Sequence, residues 1–284
     1  MQKMALTHRS FRKGPWLLVA LGVLIIVGGT WLGYQTFFAS TSAPPATEQQ
    51  ASPSEDFLNL ALMRAREGDV DGALQALDVA IAADPDGAAD AYYYRGLIRA
   101  ELGEYDEAVA DFDQAITIDE HMPEAYAARG TTYLTMGRPA TAVEDFRKAL
   151  QLDPKHAPTY VNRGQAYMRL GMEDLALADF NKAIELDPEL IAAYFNRGVL
   201  YMQQEKPELA VEDFSTCIEI APNTAAPYFN RAVAYIQLDE MDKAVADLTF
   251  YLQLAEDQEG RHQAQALLDS LTGSYGTDTE PSEP

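Results

Sequence analysis

The feature that most restricts the fold of this chain is a spacing of 34 residues. Gly96, Gly130, Gly164, Gly198 and Ala232 recur at that interval, as do Ala108, Ala142, Ala176, Ala210 and Ala244, and Phe112, Phe146, Phe180, Phe214 and Leu248. Five units keep strict register. A sixth lies upstream with one extra residue before the next, and carries Phe57, Ala61, Gly68, Ala73, Leu77 and Pro85 at the matching places. A period of this length is the signature of one supersecondary unit stacked on copies of itself. The array is expected to occupy residues 54–258.

One unit shows what is repeated. In APTYVNRGQAYMRLGMEDLALADFNKAIELDP, Tyr160, Arg163, Gly164, Tyr167 and Leu170 fall at helical spacing, and Gly171 can end that helix in a left-handed conformation. Leu175, Ala176, Phe180, Ala183 and Ile184 begin a second apolar stripe, and Asp187, restrained by Pro188, is pushed out of the helical region. Each unit therefore reads as a helical hairpin. Gly164 and Ala176 are expected to be small so that the paired helices can approach, and Phe180 to fill the space toward the next unit.

The period, the small-residue positions, the tyrosines and the Asp-Pro punctuation resemble the tetratricopeptide repeat, over about 205 of 284 residues. The resemblance implies an all-α fold, a right-handed superhelical solenoid of six helix-turn-helix repeats whose concave groove, lined mainly by first helices, binds peptides and partner proteins. It implies no catalysis. The last unit departs from the pattern, with Asp239 where glycine is expected and Tyr251 where alanine is usual. Arg261 to Leu271 reads as an amphipathic helix, so residues 259–271 are expected to cap the apolar end of the stack, and 272–284 to form a polar, disordered tail.

Upstream of the array the chain changes character. Residues 1–15 form a basic tip with Lys3, Arg9, Arg12 and Lys13, giving +4 against −23 for the whole chain, so the remainder carries −27. Trp16 to Phe38, WLLVALGVLIIVGGTWLGYQTFF, lies in a stretch without Lys, Arg, Asp or Glu from Lys13 to Glu48. Its 23 residues would span about 34 Å as a helix, against about 30 Å of bilayer hydrocarbon. Trp16, Trp31 and Tyr34 sit where amphipathic aromatics favour the headgroup level. The segment is expected to be a single transmembrane helix. A cleaved secretory signal is the rival, but the run is longer than the usual apolar core of about 7 to 15 residues, and Pro44 follows the best cleavage site at Thr41 to Ala43. With the positive charge on one flank only, the tip is expected in the cytoplasm and residues 39–284 on the opposite, periplasmic or lumenal, side. Residues 39–53 read as a flexible linker. Gly29 and Gly33 form a GxxxG, which either supports a homo-oligomer or reflects the ordinary glycine content of membrane helices.

Composition excludes several functions. An acidic chain with a sequence pI near 4.4 repels phosphate backbones, so nucleic acid is not an expected partner. A single cysteine, Cys217, permits no intrachain disulfide or multi-thiolate metal site; no cofactor is expected. Asp84, Asp86 and Gly87 faintly resemble a calcium loop, but Ala88 and Arg95 stand where oxygen ligands would be needed, so a turn is expected. His121 and His156 fall in inter-repeat turns, and Cys217 replaces a small core alanine. No nucleophile has a base at a recognisable spacing.

Two columns invite a role. Arg95, Arg129, Arg163, Arg197 and Arg231 each have an Asp sixteen positions later, Asp111, Asp145, Asp179, Asp213 and Asp247, whereas the first unit lacks both, having Leu60 and Ala76. Joint presence and joint absence point to a buried ion pair within each hairpin; the alternative is anion binding. Asn162, Asn196 and Asn230 occupy the first-helix face that the family turns inward. They either hold an extended peptide by its backbone, as asparagine ladders do in other repeat superhelices, or bond neighbouring helices. The groove is assigned to these asparagines with Tyr93, Tyr94, Leu97, Thr131, Gln165, Phe195 and Phe229, its membrane-near end being apolar at Tyr93, Tyr94 and Leu97. A branch of the family clamps chaperone carboxylates with inner-face lysines; here that face carries Tyr93, Ala127, Val161, Phe195 and Phe229, so this function is not expected. The reading is a membrane-anchored, non-enzymatic scaffold or assembly factor binding proteins or peptides, with a salt-sensitive preference for basic partners. The alternative is a structural protein that assembles with itself through the membrane helix and the array ends.

Overall fold

The computed structural model describes residues 53–275, all of whose regular elements are α-helices. The basic tip, the Trp16–Phe38 segment and most of the 39–53 linker lie outside them. No helix among the described residues is long and apolar enough to cross a membrane.

The helices run as six hairpins: α1 (Pro53–Arg66) with α2 (Val70–Ala83), α3 (Ala89–Glu101) with α4 (Tyr105–Ile118), α5 (Pro123–Thr135) with α6 (Pro139–Leu152), α7 (Ala157–Arg169) with α8 (Glu173–Leu186), α9 (Ile191–Gln203) with α10 (Pro207–Ile220), and α11 (Ala225–Gln237) with α12 (Met241–Leu254). A final helix, α13 (Gln258–Tyr275), follows. Helices α1–α10 belong to one compact unit ending at Ala221, and α11–α13 to another beginning at Pro222.

Within the first unit, each core joins one hairpin to the first helix of the next. Phe180, Ala176 and Ala183 cluster with Ala193 and Leu200, and Phe146 and Ala142 with Ala166. The phenylalanine also explains the glycine column. A β-carbon on Gly164 would lie 2.6 Å from Cε1 of Phe180, and on Gly96, Gly130 and Gly198 equally close to Phe112, Phe146 and Phe214. The glycine is therefore small to seat a ring edge, more than to let two backbones meet. In the last hairpin Ala232 and Leu248, both fully buried, show the reciprocal exchange: a larger residue on the first helix, a smaller one on the second.

Every hairpin turn carries the same backbone clasp. Met172 N donates to Tyr167 O at 2.9 Å around Gly171, whose φ is +71°, and the other five turns repeat the pattern. Two of them lack the glycine: Glu205 (φ +56°) and Asp239 (φ +62°) adopt the same left-handed conformation. A side chain there costs about 1 kcal/mol. Glu205→Gly is expected to raise stability by roughly 0.5–1 kcal/mol, read as a higher urea midpoint at unchanged slope.

Three of the turns between hairpins are closed by aspartate side chains in the same way, His121 N donating to Asp119, Lys155 N to Asp153 and Glu189 N to Asp187, each about 3 Å away. Asp187 is extended (φ −140°, ψ 95°) before Pro188, as its sequence requires.

The C-terminal helix is longer than the 261–271 stripe. It begins at Gln258 because the Asp257 carboxylate accepts from Gly260 N at 2.5 Å. It continues to Tyr275, past the start of the expected tail, where Thr272 Oγ1 donates to Leu268 O at 3.0 Å. Arg261 donates to the Leu252 and Ala255 carbonyls and so closes the end of α12. Tyr251 is buried against Phe229, centroids 5.2 Å apart, and its hydroxyl sits where a β-carbon on Gly260 would go. Burial and then Asp257 push its pKa up to about 12.

Candidate functional site

All five arginines form bidentate pairs with the aspartates sixteen residues on. Arg163 Nε and Nη2 meet Asp179 at 2.8 and 2.7 Å, Arg129 meets Asp145 at 2.9 and 2.7 Å, Arg197 meets Asp213 at 2.9 and 2.7 Å, and Arg231 meets Asp247 at 2.8 and 2.8 Å. Arg95 makes the same fork on Asp111, which also accepts from Arg99 at 2.8 Å. The aspartates are buried, and each guanidinium lies over the tyrosine one turn earlier, as Arg163 does over Tyr160 at 5.4 Å. The hydrogen bond to Asp179 raises the Arg163 pKa against the opposing pull of burial; for Arg95 burial is the larger influence, and the bonds to Asp111 and Asp78 together outweigh it. Asp213 is the inverse: burial raises its carboxyl more than Arg197 lowers it.

The sequence did not reveal the third bond. Arg95 Nη1 reaches Asp78 at 2.6 Å, Arg129 Nη1 reaches Asp113 at 2.5 Å and Arg197 Nη1 reaches Asn181 at 2.6 Å, each on the second helix of the preceding hairpin. The arginine thus ties successive hairpins as well as its own two helices. An acceptor sixteen or seventeen positions before each of these three arginines was the available signal.

The asparagine column is closed inward. Asn196 is 5% exposed; its Nδ2 donates to Ala192 O at 2.7 Å and its Oδ1 accepts from Gln165 Nε2 at 3.2 Å. Asn162, half-buried, donates to Thr131 Oγ1 at 3.3 Å. Asn230, 1% exposed, donates to Ala226 O at 2.9 Å. Of the two readings, Asn162 and Asn196 follow the one in which amides bond neighbouring helices: a polar residue 31 positions earlier, Thr131 or Gln165, is the partner each time. Asn230 bonds its own helix.

The aromatic column is likewise taken into the core, which corrects its assignment to an open groove. Tyr93 packs on Phe112 at 6.1 Å, Phe195 on Phe214 at 5.7 Å, and Phe229 on Tyr251; Leu97 is buried as well. A large apolar side chain on the first helix is worth more against the second-helix aromatic than in water.

What stays open lies along α3, α5, α7 and α9, the first helices of consecutive hairpins, which lie side by side. Tyr94, Thr131, Asn162 and Gln165 are half-buried there. At the α3 end, Tyr94 stands one helical turn beyond Asp90, and neither has a hydrogen-bond partner among the described residues. Burial, then Asp119 and Glu124, raise the Asp90 pKa; burial, then Asp90 and Glu124, raise that of Tyr94. Two carboxylates, Asp90 and Glu124, therefore act on the Tyr94 ring, with Arg66 opposing them.

The enzyme-like signals resolve into structure. Asp84 accepts from Gly87 N in a turn, and His156 Nδ1 shares a 2.7 Å bond with Thr159 Oγ1. Cys217 is fully buried, and burial pushes its thiol up to about 12. No group of metal-ligating side chains occurs among the described residues.

An array of helical hairpins clasped by left-handed turns and stapled by Arg–Asp forks defines a repeat protein. The chain belongs to the tetratricopeptide repeat family, whose models match residues 89–122, 123–156, 157–190, 191–224 and 225–258. Among solved structures it is similar to PilW, described as a widely conserved type IV pilus biogenesis factor (21% identity, 75% of this chain and 99% of that one, TM-score 0.69). It is also similar to a tetratricopeptide repeat protein from Parabacteroides merdae (19%, 79% and 88%, 0.65), and to YrrB, described as having an unusual peptide-binding site (23%, 68% and 99%, 0.53). No curated protein matches the chain.

Proposed function

We propose that this protein is a membrane-anchored scaffold whose repeats wind into a right-handed superhelix and dock a basic segment of a partner protein, aiding assembly or stability of a membrane or envelope complex. The observation that carries the reading is the grouping of Asp90, Glu124 and Tyr94 on the first-helix face, where a half-buried ring lacks a hydrogen-bond partner and two exposed carboxylates act on it against the single charge of Arg66. A Lys or Arg side chain entering there gains carboxylate hydrogen bonds and a ring face. The acidic body of the chain steers such a partner, and the Trp16–Phe38 segment holds the array at a membrane with the basic tip in the cytoplasm.

The test is crosslinking and mass spectrometry on native cells, comparing wild type with a Tyr94→Ala, Asp90→Asn, Glu124→Gln variant. A basic segment crosslinked near Tyr94 and lost in the variant is the expected result, with about tenfold weaker binding between roughly 0.05 and 0.5 M salt. Self-crosslinks alone, or a partner unaffected by the substitutions, would overturn it.

Asp90→Asn alone separates binding from folding. Because the folded pKa of Asp90 is raised, its ionisation disfavours the folded state: the associated stability is present in acid and lost as pH rises through the interval between the ordinary and raised values. Asp90 is exposed and lies in the first turn of α3, where the helix favours an anion, so Asp90→Asn is expected to raise the melting temperature at pH 7 by no more than about 1 °C, to have no such effect below the carboxylate range, and to weaken partner binding.

A further inference from the structure

Among the arginines of the first unit, Arg163 is the exception to the staple. Arg95, Arg129 and Arg197 spend Nη1 on Asp78, Asp113 and Asn181 of the preceding hairpin. Sixteen positions before Arg163 the chain has Arg147, so repeat register places a second guanidinium where the acceptor belongs. Arg147 turns away and pairs with Glu144 on its own helix at 2.8 Å, and its side chain is 60% exposed. Arg163 Nη1 consequently has no hydrogen-bond acceptor among the described residues, although Nε and Nη2 remain fixed on Asp179.

The surroundings reinforce the anomaly. Of the 17 Lys and Arg residues beyond the basic tip, seven lie between Arg138 and Lys182: Arg138, Arg147, Lys148, Lys155, Arg163, Arg169 and Lys182. Lys148 follows Arg147 and extends over the Tyr126 ring at 5.9 Å. The same stretch holds Glu144, Asp145, Asp153, Glu173, Asp174 and Asp179, so it is close to neutral where the chain as a whole is −23, and at its centre is a guanidinium oriented by a buried carboxylate with one donor unspent.

We infer that Arg163 Nη1 and Arg147, across the junction of the third and fourth hairpins, form a binding position for a phosphate group, free or carried on a side chain. A dianionic oxyanion replaces the missing acceptor of Arg163 Nη1 and competes with the exposed Glu144 for the Arg147 guanidinium, offering two guanidiniums at once what a single carboxylate offers one. Pre-orientation by Asp179 lowers the ordering cost, since the Arg163 fork is already fixed.

Phosphorus-31 NMR titration of inorganic phosphate, and in a second arm of O-phosphoserine, with the full chain at constant ionic strength tests this. The expected result is saturable broadening in wild type that falls at least about fivefold in affinity in Arg147→Asp, while Arg147→Lys retains part of it. Arg147→Asp also supplies the acceptor that Asp113 gives Arg129, so it is expected to melt about 2 °C higher in phosphate-free buffer, which excludes misfolding as the cause of lost binding. Tighter binding of O-phosphoserine than of phosphate would assign the position to a side-chain phosphate, and the reverse to the free ion. Broadening that is absent in wild type, or equal in wild type and Arg147→Asp, overturns the proposal.

Discussion

Asp179→Ala is expected to cost about 3 kcal/mol, and Arg163→Leu with Asp179→Ala to restore most of it. Asp179 is 5% exposed and satisfies two donors of a guanidinium whose side chain is 18% exposed. Removing the carboxylate leaves a largely desolvated cation without its counter-charge, and such losses run to about 3–5 kcal/mol, whereas replacing both members by apolar groups is often close to neutral. The lower figure applies because the arginine keeps partial access to water. The chain has performed the double replacement itself: the first hairpin has Leu60 and Ala76 at these places, and α1 and α2 pair without the fork. Urea unfolding of the two variants decides the matter. A double variant as unstable as the single one would mean that the fork supplies net stability. Because the hairpins are coupled units, the transition should be followed with probes in α7 and α8 as well as globally.

The second large effect concerns the glycine–phenylalanine seat. Gly164→Ala places a methyl group 2.6 Å from the Phe180 ring, which is fully buried. Overpacking of this kind costs about 1–3 kcal/mol, and the better helix propensity of alanine returns up to about 1, so a net loss of roughly 2 kcal/mol is expected. Phe180→Leu alone leaves a cavity. Combined with Gly164→Ala it reproduces Ala232 and Leu248 of the last hairpin, so the double variant should be more stable than the sum of the singles by about 1 kcal/mol or more. Additive losses would show that the ring does not set the size of residue 164.

Most of the fold could be read from spacing, because a repeat states the same sentence several times. Six copies of the Gly/Ala/Phe pattern, with Ala or Leu at some places, specify the hairpins and their order, and the sixteen-residue interval, both of whose members are missing from the first hairpin, points to the Arg–Asp fork. The candidate site was less legible. Asn196 and Asn230 have the residue type of a peptide ladder, and only burial and the positions of Gln165 and the Ala226 carbonyl show that their amides are already used. Tyr93, Phe195 and Phe229 point into the hairpin because each has a second-helix aromatic to cover it. One residue along, Tyr94 is left half-buried, a single helical step that periodicity alone does not resolve.

The sequence by itself determined the repeat, its length and number, the turns and the internal ion pairs, since these depend on residues at fixed intervals along the chain. The tertiary structure decided which polar groups remain unspent. Asn196 is closed by Gln165, Arg129 by Asp113, and Arg163 is left open by Arg147, three outcomes set by contact between hairpins. Hydrogen-bonding capacity is consumed by whatever comes within about 3 Å, and that depends on how neighbouring hairpins stack rather than on the composition of either one.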